Sequence, residues 1–192
     1  MNFHDNNLEK NVIDAYGRLL LDRMESEDHS YFLTFQFRPC RGSQKVRMET
    51  MLAGIDAFYR TLVRQCVRHP GSKQGRELLP VLIAFPDWPV PKEKKKSLAE
   101  ASINDGLHYH GLIVIRHRCR LEVSLETHMR DHKDWYIGGE KPLFNVHVKS
   151  VEELARELTN YLFKQVGRKR FSSDDVLVLP KVWSELHSSN RK

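Results

Sequence analysis

Short runs of β-branched and aromatic residues recur along this chain and limit the folds open to it. Four of them have the length and composition of β-strands: Tyr31–Phe37, Leu79–Phe85, Leu107–Ile115 and Phe144–Val148. Val176–Leu179 is a shorter candidate for a fifth strand. Because helical patterns of unequal spacing separate these runs, we expect an α+β fold. In it, helices pack on a central antiparallel sheet of four to five strands.

Three segments carry apolar residues at three- and four-residue steps, which predicts helices. They are Leu8–Met24, Val46–Arg68 and Ser150–Gly167. The third has the clearest ends, because Ser150 and Glu153 form a capping box and Gly167 provides a C-cap. A short helix is also predicted within Arg120–Arg130.

The length of 192 residues is that of one domain with short extensions. We divide it into an N-terminal helical extension over residues 1–30, a folded domain over residues 31–180 and a tail over residues 181–192. A long polar connection from Pro86 to Gly106 contains three prolines and the lysine-rich run KEKKK. Connections of this length in compact domains are usually functional or mobile.

Composition excludes several classes of protein. A hydrophobic content of 40% is too high for a disordered chain, and no apolar run approaches the length of a membrane span. The polar N-terminus predicts no secretory signal, and three cysteines without a CxxC pair predict a reducing, cytoplasmic setting. The net charge of +6 suits a polyanionic partner.

Two histidines lie two residues apart inside the third predicted strand. Side chains alternate across a strand, so His108 and His110 leave the same face of the sheet. At this spacing two ring nitrogens can converge on one divalent ion. The pair is a candidate metal site, although two polar residues on a solvated strand would have the same pattern.

The capped helix downstream carries a second group of chemically capable side chains. Tyr161 lies on the edge of its apolar stripe, and Lys164 and Gln165 follow three and four residues later, next to the tyrosine on the helix surface. Because this stripe must pack on the sheet, the phenol is expected to face the sheet. A tyrosine at the edge of a core is the alternative interpretation.

These motifs together resemble the HUH endonuclease superfamily. The HYH of LHYHGLIVI is similar to its histidine motif, and YLFK at Tyr161–Lys164 is similar to the Y-x-x-K of single-tyrosine replication initiators. YLFKQ also fits the Y-x-x-x-Q of single-tyrosine transposases. The strand YFLTFQF around Thr34 resembles the first motif of rolling-circle initiators. The resemblance runs from about Tyr31 to Arg170 in matching order.

The resemblance implies a fold of the HUH or Rep type, which is similar to ferredoxin and RRM domains. It implies a metal-dependent endonuclease and strand transferase that initiates rolling-circle replication of a plasmid or phage. His108 and His110 would hold Mg²⁺ or Mn²⁺, and Mn²⁺ suits imidazole ligands better. Tyr161 would attack the scissile phosphate to form a 5′-phosphotyrosine, and Lys164 would stabilise the phenolate or the developing anion.

The third metal ligand stays open between two residues. Rolling-circle initiators often draw it from the preceding strand; here Asp87, just after that predicted strand, is the nearest acid that a hairpin pairing would set opposite His108. The transposases instead use the residue four after the tyrosine, here Gln165. Glu77 is a more distant alternative for this position. We interpret His117 and His147 as structural or surface histidines.

The expected partner is single-stranded DNA, as an origin or a hairpin. Seven basic residues are predicted to contact its phosphates: Lys92, Lys94, Lys95, Lys96, Arg168, Lys169 and Arg170. Trp88, Trp135 and Tyr136 are candidates for stacking on unpaired bases. The sequence has no GxxxxGK[ST] loop, so unwinding would require a host helicase or DNA that is already exposed.

Three further interpretations compete with replication. The first is a single-tyrosine transposase of a small mobile element, favoured by Gln165. The second is a non-catalytic module that binds single-stranded nucleic acid and whose histidines are incidental. The third is a metal-dependent phosphodiesterase that does not use Tyr161. The sequence sets no oligomeric state and predicts no membrane contact.

Overall fold

The computed structural model describes residues 28–88, 103–151 and 175–181, together with Ala15 and Arg18. Ala15 and Arg18 are helical and exposed, and the rest of the predicted N-terminal helix lies outside the described residues. The predicted helix that carries Tyr161, apart from its first two residues, also lies outside them, as does the lysine-rich run.

The described chain builds one five-stranded antiparallel sheet. Its strands are β1 His29–Phe37, β2 Val81–Asp87, β3 His108–Ile115, β4 Leu143–Ser150 and β5 Leu177–Leu179. In space they follow the order β4-β1-β3-β2-β5, and every neighbouring pair is antiparallel. The predicted α+β fold with a central antiparallel sheet is confirmed. The strand with the two histidines is in the centre of this sheet.

Four helices accompany the sheet in the described ranges: α1 Gln44–Cys66, α2 Lys73–Glu77, α3 Leu125–Asp131 and α4 Lys133–Tyr136. A single 3₁₀ turn, Asn104–Gly106, leads into β3. The short helix α2 was not predicted, because five residues are too few to show a helical period. Among the described helices, none combines the length and the apolar character needed to cross a membrane.

One face of the sheet carries the main core. Leu33 and Phe35 of β1 are fully buried on this face, and Phe35 packs edge-on against Phe58 of α1 with ring centroids 5.3 Å apart. Tyr109 of β3 points to the same face and is 0% exposed. Because side chains alternate along a strand, His108 and His110, on either side of Tyr109 in sequence, both point to the other face.

The other face of the sheet has an apolar end and a polar end. At one end, an apolar cluster joins four residues of β2 and β3 to Val151, which follows β4: Val81, Ile83, Leu112, Val114 and Val151. At the other end the same two strands present Asp87, His108 and His110. The polar end is therefore set on a packed support, which limits the movement of its side chains.

The strand boundaries differ by one or two residues from those predicted, and the differences in β2 and β4 matter most for the site. The second strand was expected at Leu79–Phe85 but spans Val81–Asp87, so Pro86 and Asp87 belong to the strand rather than to the following loop. Proline is accommodated because β5 pairs with β2 only from Leu82 to Ala84, and Pro86 has a described strand neighbour only in β3. Ser150, predicted as a helix N-cap, is the last residue of β4.

Gly111 is a point of close approach between strands. A Cβ at this position would lie 3.0 Å from Cε2 of Phe35 and 3.1 Å from Cδ1 of Leu82. Gly111→Val should therefore overpack the core and lower the free energy of unfolding by about 1–3 kcal/mol, measured by urea denaturation. Gly71→Val is the matched control, because no atom lies within 4 Å of its added Cβ. Equal effects of the two changes would contradict this explanation.

Buried His128 should make the fold sensitive to acid. Its Nε2 lies 2.7 Å from the hydroxyl of Tyr136, at a distance where the neutral imidazole can accept a hydrogen bond from that hydroxyl. Burial lowers the pKa of His128 and nearby His132 lowers it further, against an opposing effect of Asp131. The unfolded chain therefore binds a proton at a higher pH than the folded protein, and stability falls as pH drops below about 6.5.

The test is thermal unfolding of the wild type and His128→Gln between about pH 7 and about pH 5. We expect the variant to lose less stability than the wild type across this range, because glutamine does not titrate and can still accept from Tyr136. His69→Gln, at an exposed position, serves as the control and should follow the wild type. Parallel curves for the wild type and His128→Gln would refute the prediction.

Candidate metal centre

The candidate site is formed by strand register. In the antiparallel pair β2–β3, Asp87 lies directly opposite His108 and Phe85 opposite His110. The expected placement of Asp87 across from His108 is observed. Because residues that face each other across two strands project to the same side, the carboxylate and both imidazoles come together on one face.

The three side chains converge on one point. The Nε2 atoms of His108 and His110 lie 3.1 Å apart, and Oδ2 of Asp87 lies 3.7 Å from the first and 3.4 Å from the second. One ligand atom from each residue lies within 4.8 Å of the others. Within the described ranges, this is the only group of three or more histidine, cysteine or acidic side chains with such geometry.

Hydrogen bonds from the outer ring nitrogens orient both imidazoles. Nδ1 of His108 lies 3.0 Å from the carbonyl oxygen of Gly106. A carbonyl can only accept, so Nδ1 carries the proton and Nε2 carries the lone pair that points to the site. This arrangement is typical of histidine ligands, whose other nitrogen donates to a carbonyl or carboxylate.

His110 is oriented by a hydroxyl instead of a carbonyl. Its Nδ1 lies 3.2 Å from Oγ1 of Thr34, which is its cross-strand neighbour in β1. A hydroxyl can donate or accept, so Thr34 can serve either tautomer of the ring. With Nε2–H donating to His108, the hydroxyl donates to Nδ1. With a cation between the rings, Nδ1–H donates to the hydroxyl.

Aromatic contacts hold the His110 ring from two sides. Phe32 stacks on it with centroids 5.0 Å apart, and Phe85 lies at 6.1 Å. The side chains of His110 and Asp87 are 12% and 9% exposed, whereas that of His108 is 26% exposed. Within the described ranges, the site is thus more enclosed on the side of His110 and more exposed on the side of His108.

The protonation state suits metal binding. Burial lowers the pKa of His108, and the neighbouring His110 lowers it as well, while the Gly106 carbonyl and Asp87 oppose the shift. His108 is therefore neutral near pH 7, the form that ligates metals. Two imidazole nitrogens and one carboxylate oxygen are a donor set that fits Mn²⁺ and other borderline divalent ions, and accommodates Mg²⁺ less well.

One suggestion for the third ligand is wrong. Glu77 is exposed at the end of α2, shortly before β2 begins. The first residue of β2 pairs with Val114, which lies at the opposite end of β3 from His108. The separation follows from strand length, since β2 carries the chain away from Glu77 towards Asp87. Ion binding by Asp87, His108 and His110 stays a prediction.

The remaining candidate residues lie outside the described ranges, and their roles stay predictions. They are Tyr161, Lys164, Gln165, Lys92, Lys94, Lys95, Lys96, Arg168, Lys169 and Arg170. Of the aromatic residues proposed to stack on bases, Tyr136 is buried at 2% exposure, Trp88 packs against the core, and Trp135 is exposed and stacks on His132. Tyr136 is therefore unsuited to base stacking.

Thr34 and Gly106 are the functional residues whose roles were not predicted. Thr34 was noted only as part of a strand motif, and Gly106 as the end of a loop. Their contacts with the histidines depend on the β1–β3 register and on the turn before β3, neither of which has a local sequence signal. His117 bonds Asp28, and His147 bonds Asn145 on exposed β4, which suits the structural and surface roles expected of them.

Thr34→Val tests the orienting role of the hydroxyl. Valine keeps the shape of threonine but cannot bond Nδ1 of His110, so we expect Mn²⁺ affinity to fall by about 10- to 100-fold with little change in folding. Titration of Mn²⁺ by electron paramagnetic resonance measures the affinity. Thr34→Ser retains the hydroxyl and should bind as the wild type does. If both variants bind Mn²⁺ as tightly as the wild type, Thr34 has no orienting role.

Comparisons of this chain with family models, with curated proteins and with solved structures give no match.

Proposed function

We propose that this protein is a metal-dependent, single-tyrosine endonuclease and strand transferase that acts on single-stranded DNA. The observation that carries the proposal is the convergence of Asp87, His108 and His110 on one point of the sheet surface. This is the ligand set expected from the histidine motif when the third ligand comes from the preceding strand. Tyr161 is the proposed nucleophile.

The path of the described chain favours placing the tyrosine segment on the face of the histidines. The segment between residues 151 and 175 is bounded by Val151 and Val176, and both pack on the apolar cluster of that face. Val176 also contacts Phe85, the cross-strand neighbour of His110. We therefore propose that the apolar stripe predicted around Tyr161 packs on this cluster, which would bring the tyrosine towards the histidines.

The roles of the residues follow from their chemistry. Asp87, His108 and His110 would hold the ion, which when bound neutralises charge on the scissile phosphate. Tyr161 would attack the phosphorus while the 3′ oxygen leaves, so a phosphotyrosine bond replaces the phosphodiester bond. A phenol with a pKa near 10 is a weak nucleophile at neutral pH, and Lys164 would stabilise its ionised form.

Among mobile-element functions, initiation of rolling-circle replication is favoured over transposition. Asp87 already completes a three-residue ligand set with the histidines, so the site does not require Gln165. Transposition remains the alternative in which Gln165 supplies the third ligand.

The test is incubation of the protein with end-labelled single-stranded DNA and Mn²⁺, followed by a denaturing gel. A labelled protein–DNA adduct that EDTA prevents supports the proposal. Cleaved DNA without adduct would instead indicate a phosphodiesterase that does not use tyrosine. DNA that stays intact but binds would indicate a non-catalytic binding module. Candidate origins and hairpins, and random single strands, serve as substrates.

A further inference from the structure

A cleft of about 260 Å³ lies directly beside the candidate metal centre. Thr34 and Gln36 of β1 form its floor, His108 stands on one side, and Phe144 of β4 stands on the other. Ile103, just before the 3₁₀ turn, also lines it. His108 lines the cleft and also belongs to the Asp87–His108–His110 group, so the cleft and the candidate metal centre are adjacent.

Phe144 is displayed by an irregularity in the sheet. In the β1–β4 pair, Gln36 faces Asn145 and Phe37 faces Leu143, so Phe144 is an extra residue in β4 without a partner. Such a bulge re-aims a side chain. Phe144 is 41% exposed and Ile103 is 47% exposed, although both are large and apolar. The cleft therefore offers an aromatic face that the fold does not use for its own core.

The floor of the cleft includes an amide that is held in place. Oε1 of Gln36 accepts a hydrogen bond from Nδ2 of Asn145 at 2.9 Å. Gln36 lines the cleft, whereas Asn145 supports it from the neighbouring strand β4. The amide nitrogen of Gln36 carries two protons that can be donated to a ligand.

We propose that this cleft binds one unpaired nucleobase of the DNA strand, next to the phosphate placed at the metal centre. The base would stack on Phe144 and accept a hydrogen bond at its edge from the amide of Gln36. A planar ring with donors and acceptors on its edge matches an aromatic wall beside an amide floor. The proposal rests on the proposed function for the identity of the strand.

The test measures binding without catalysis. Fluorescence anisotropy in EDTA compares short single-stranded oligonucleotides of each base with an oligonucleotide of abasic sites. Phe144→Ala should weaken binding of the base-containing oligonucleotides by about 5- to 100-fold and leave binding of the abasic one unchanged. Phe144→Tyr keeps the stacking surface and should bind as the wild type does.

Two further variants make the test specific. Gln36→Ala should reduce the differences in affinity among the four bases, because it removes the proposed edge contact. Val123→Ala is the control, since Val123 is an equally exposed large apolar residue, at 48%, and does not line the cleft. It should change no affinity by more than about two-fold.

Several results would overturn the cleft proposal. They are wild-type affinity of Phe144→Ala for every oligonucleotide, equal weakening of its binding to the abasic one, an unchanged base preference in Gln36→Ala, and a wild type that binds none of them. The binding assay contains EDTA and therefore no free metal, so its result does not depend on whether the protein cleaves DNA. Cleavage is measured separately with Mn²⁺. A DNA adduct without any Phe144 effect would refute the cleft alone, and a Phe144 effect without an adduct would refute the nuclease alone.

Discussion

Tyr161→Phe should abolish the covalent adduct with single-stranded DNA while leaving DNA affinity within about two-fold of the wild type. The change removes one oxygen atom, which is the atom proposed to bond the phosphorus, and it keeps the aromatic ring. Denaturing gels with Mn²⁺ measure the adduct, and anisotropy in EDTA measures binding.

Tyr109→Phe is a sharp control for this prediction. Tyr109 lies between the two candidate ligands in sequence, yet it points to the opposite face of the sheet and is 0% exposed. Its hydroxyl has no hydrogen-bond partner within the described part of the chain, so its loss should cost little stability. Tyr109→Phe should therefore form adduct normally. An adduct that persists in Tyr161→Phe would exclude Tyr161 as the nucleophile.

Asp87→Asn should weaken Mn²⁺ binding by about 100-fold or more, beyond the loss typical of residues that only orient a ligand. The substitution keeps the size of the side chain but removes the negative charge 3.4 Å from Nε2 of His110. In the wild type, saturating Mn²⁺ should raise the melting temperature, because a ligand that binds only the folded state stabilises it. The variant should show no such rise at the same concentration.

The control for this change is Asp105→Asn. Asp105 lies three residues before His108 in sequence, but its carboxylate is 73% exposed and pairs with Arg47 at the surface. Asparagine also tolerates the positive φ of 54° at this position. Asp105→Asn should keep the full Mn²⁺-dependent rise in melting temperature. If Asp87→Asn retains the rise as well, the third ligand is another residue.

Local sequence patterns were sufficient to predict the type of fold. Strand runs such as Tyr31–Phe37 and the helical period of Val46–Arg68 led to an α+β fold with a central antiparallel sheet, which the structure has. These patterns succeed because burial imposes a period of two on strands and of about 3.6 on helices, whatever the partner. The helix α2 was missed because its five residues show no period.

Part of the candidate site was also accessible in this way. Alternation alone places His108 and His110 on one face. The choice of Asp87 required an assumption about the hairpin-like pairing of β2 with β3, and it competed with Gln165 and Glu77. The exact pairing of Asp87 with His108 depends on the continuation of β2 through Pro86, which the sequence pattern did not predict.

The sequence by itself determined the strands, the long helix α1 and the face on which each strand residue lies, because these depend on neighbours a few positions away. Only the tertiary structure decided which strands meet and in what register. That register brings Thr34 to His110 across 76 positions of sequence, and the β1–β4 bulge turns Phe144 towards His108. Such contacts arise from the packing of the whole sheet, which has no local signature in the chain.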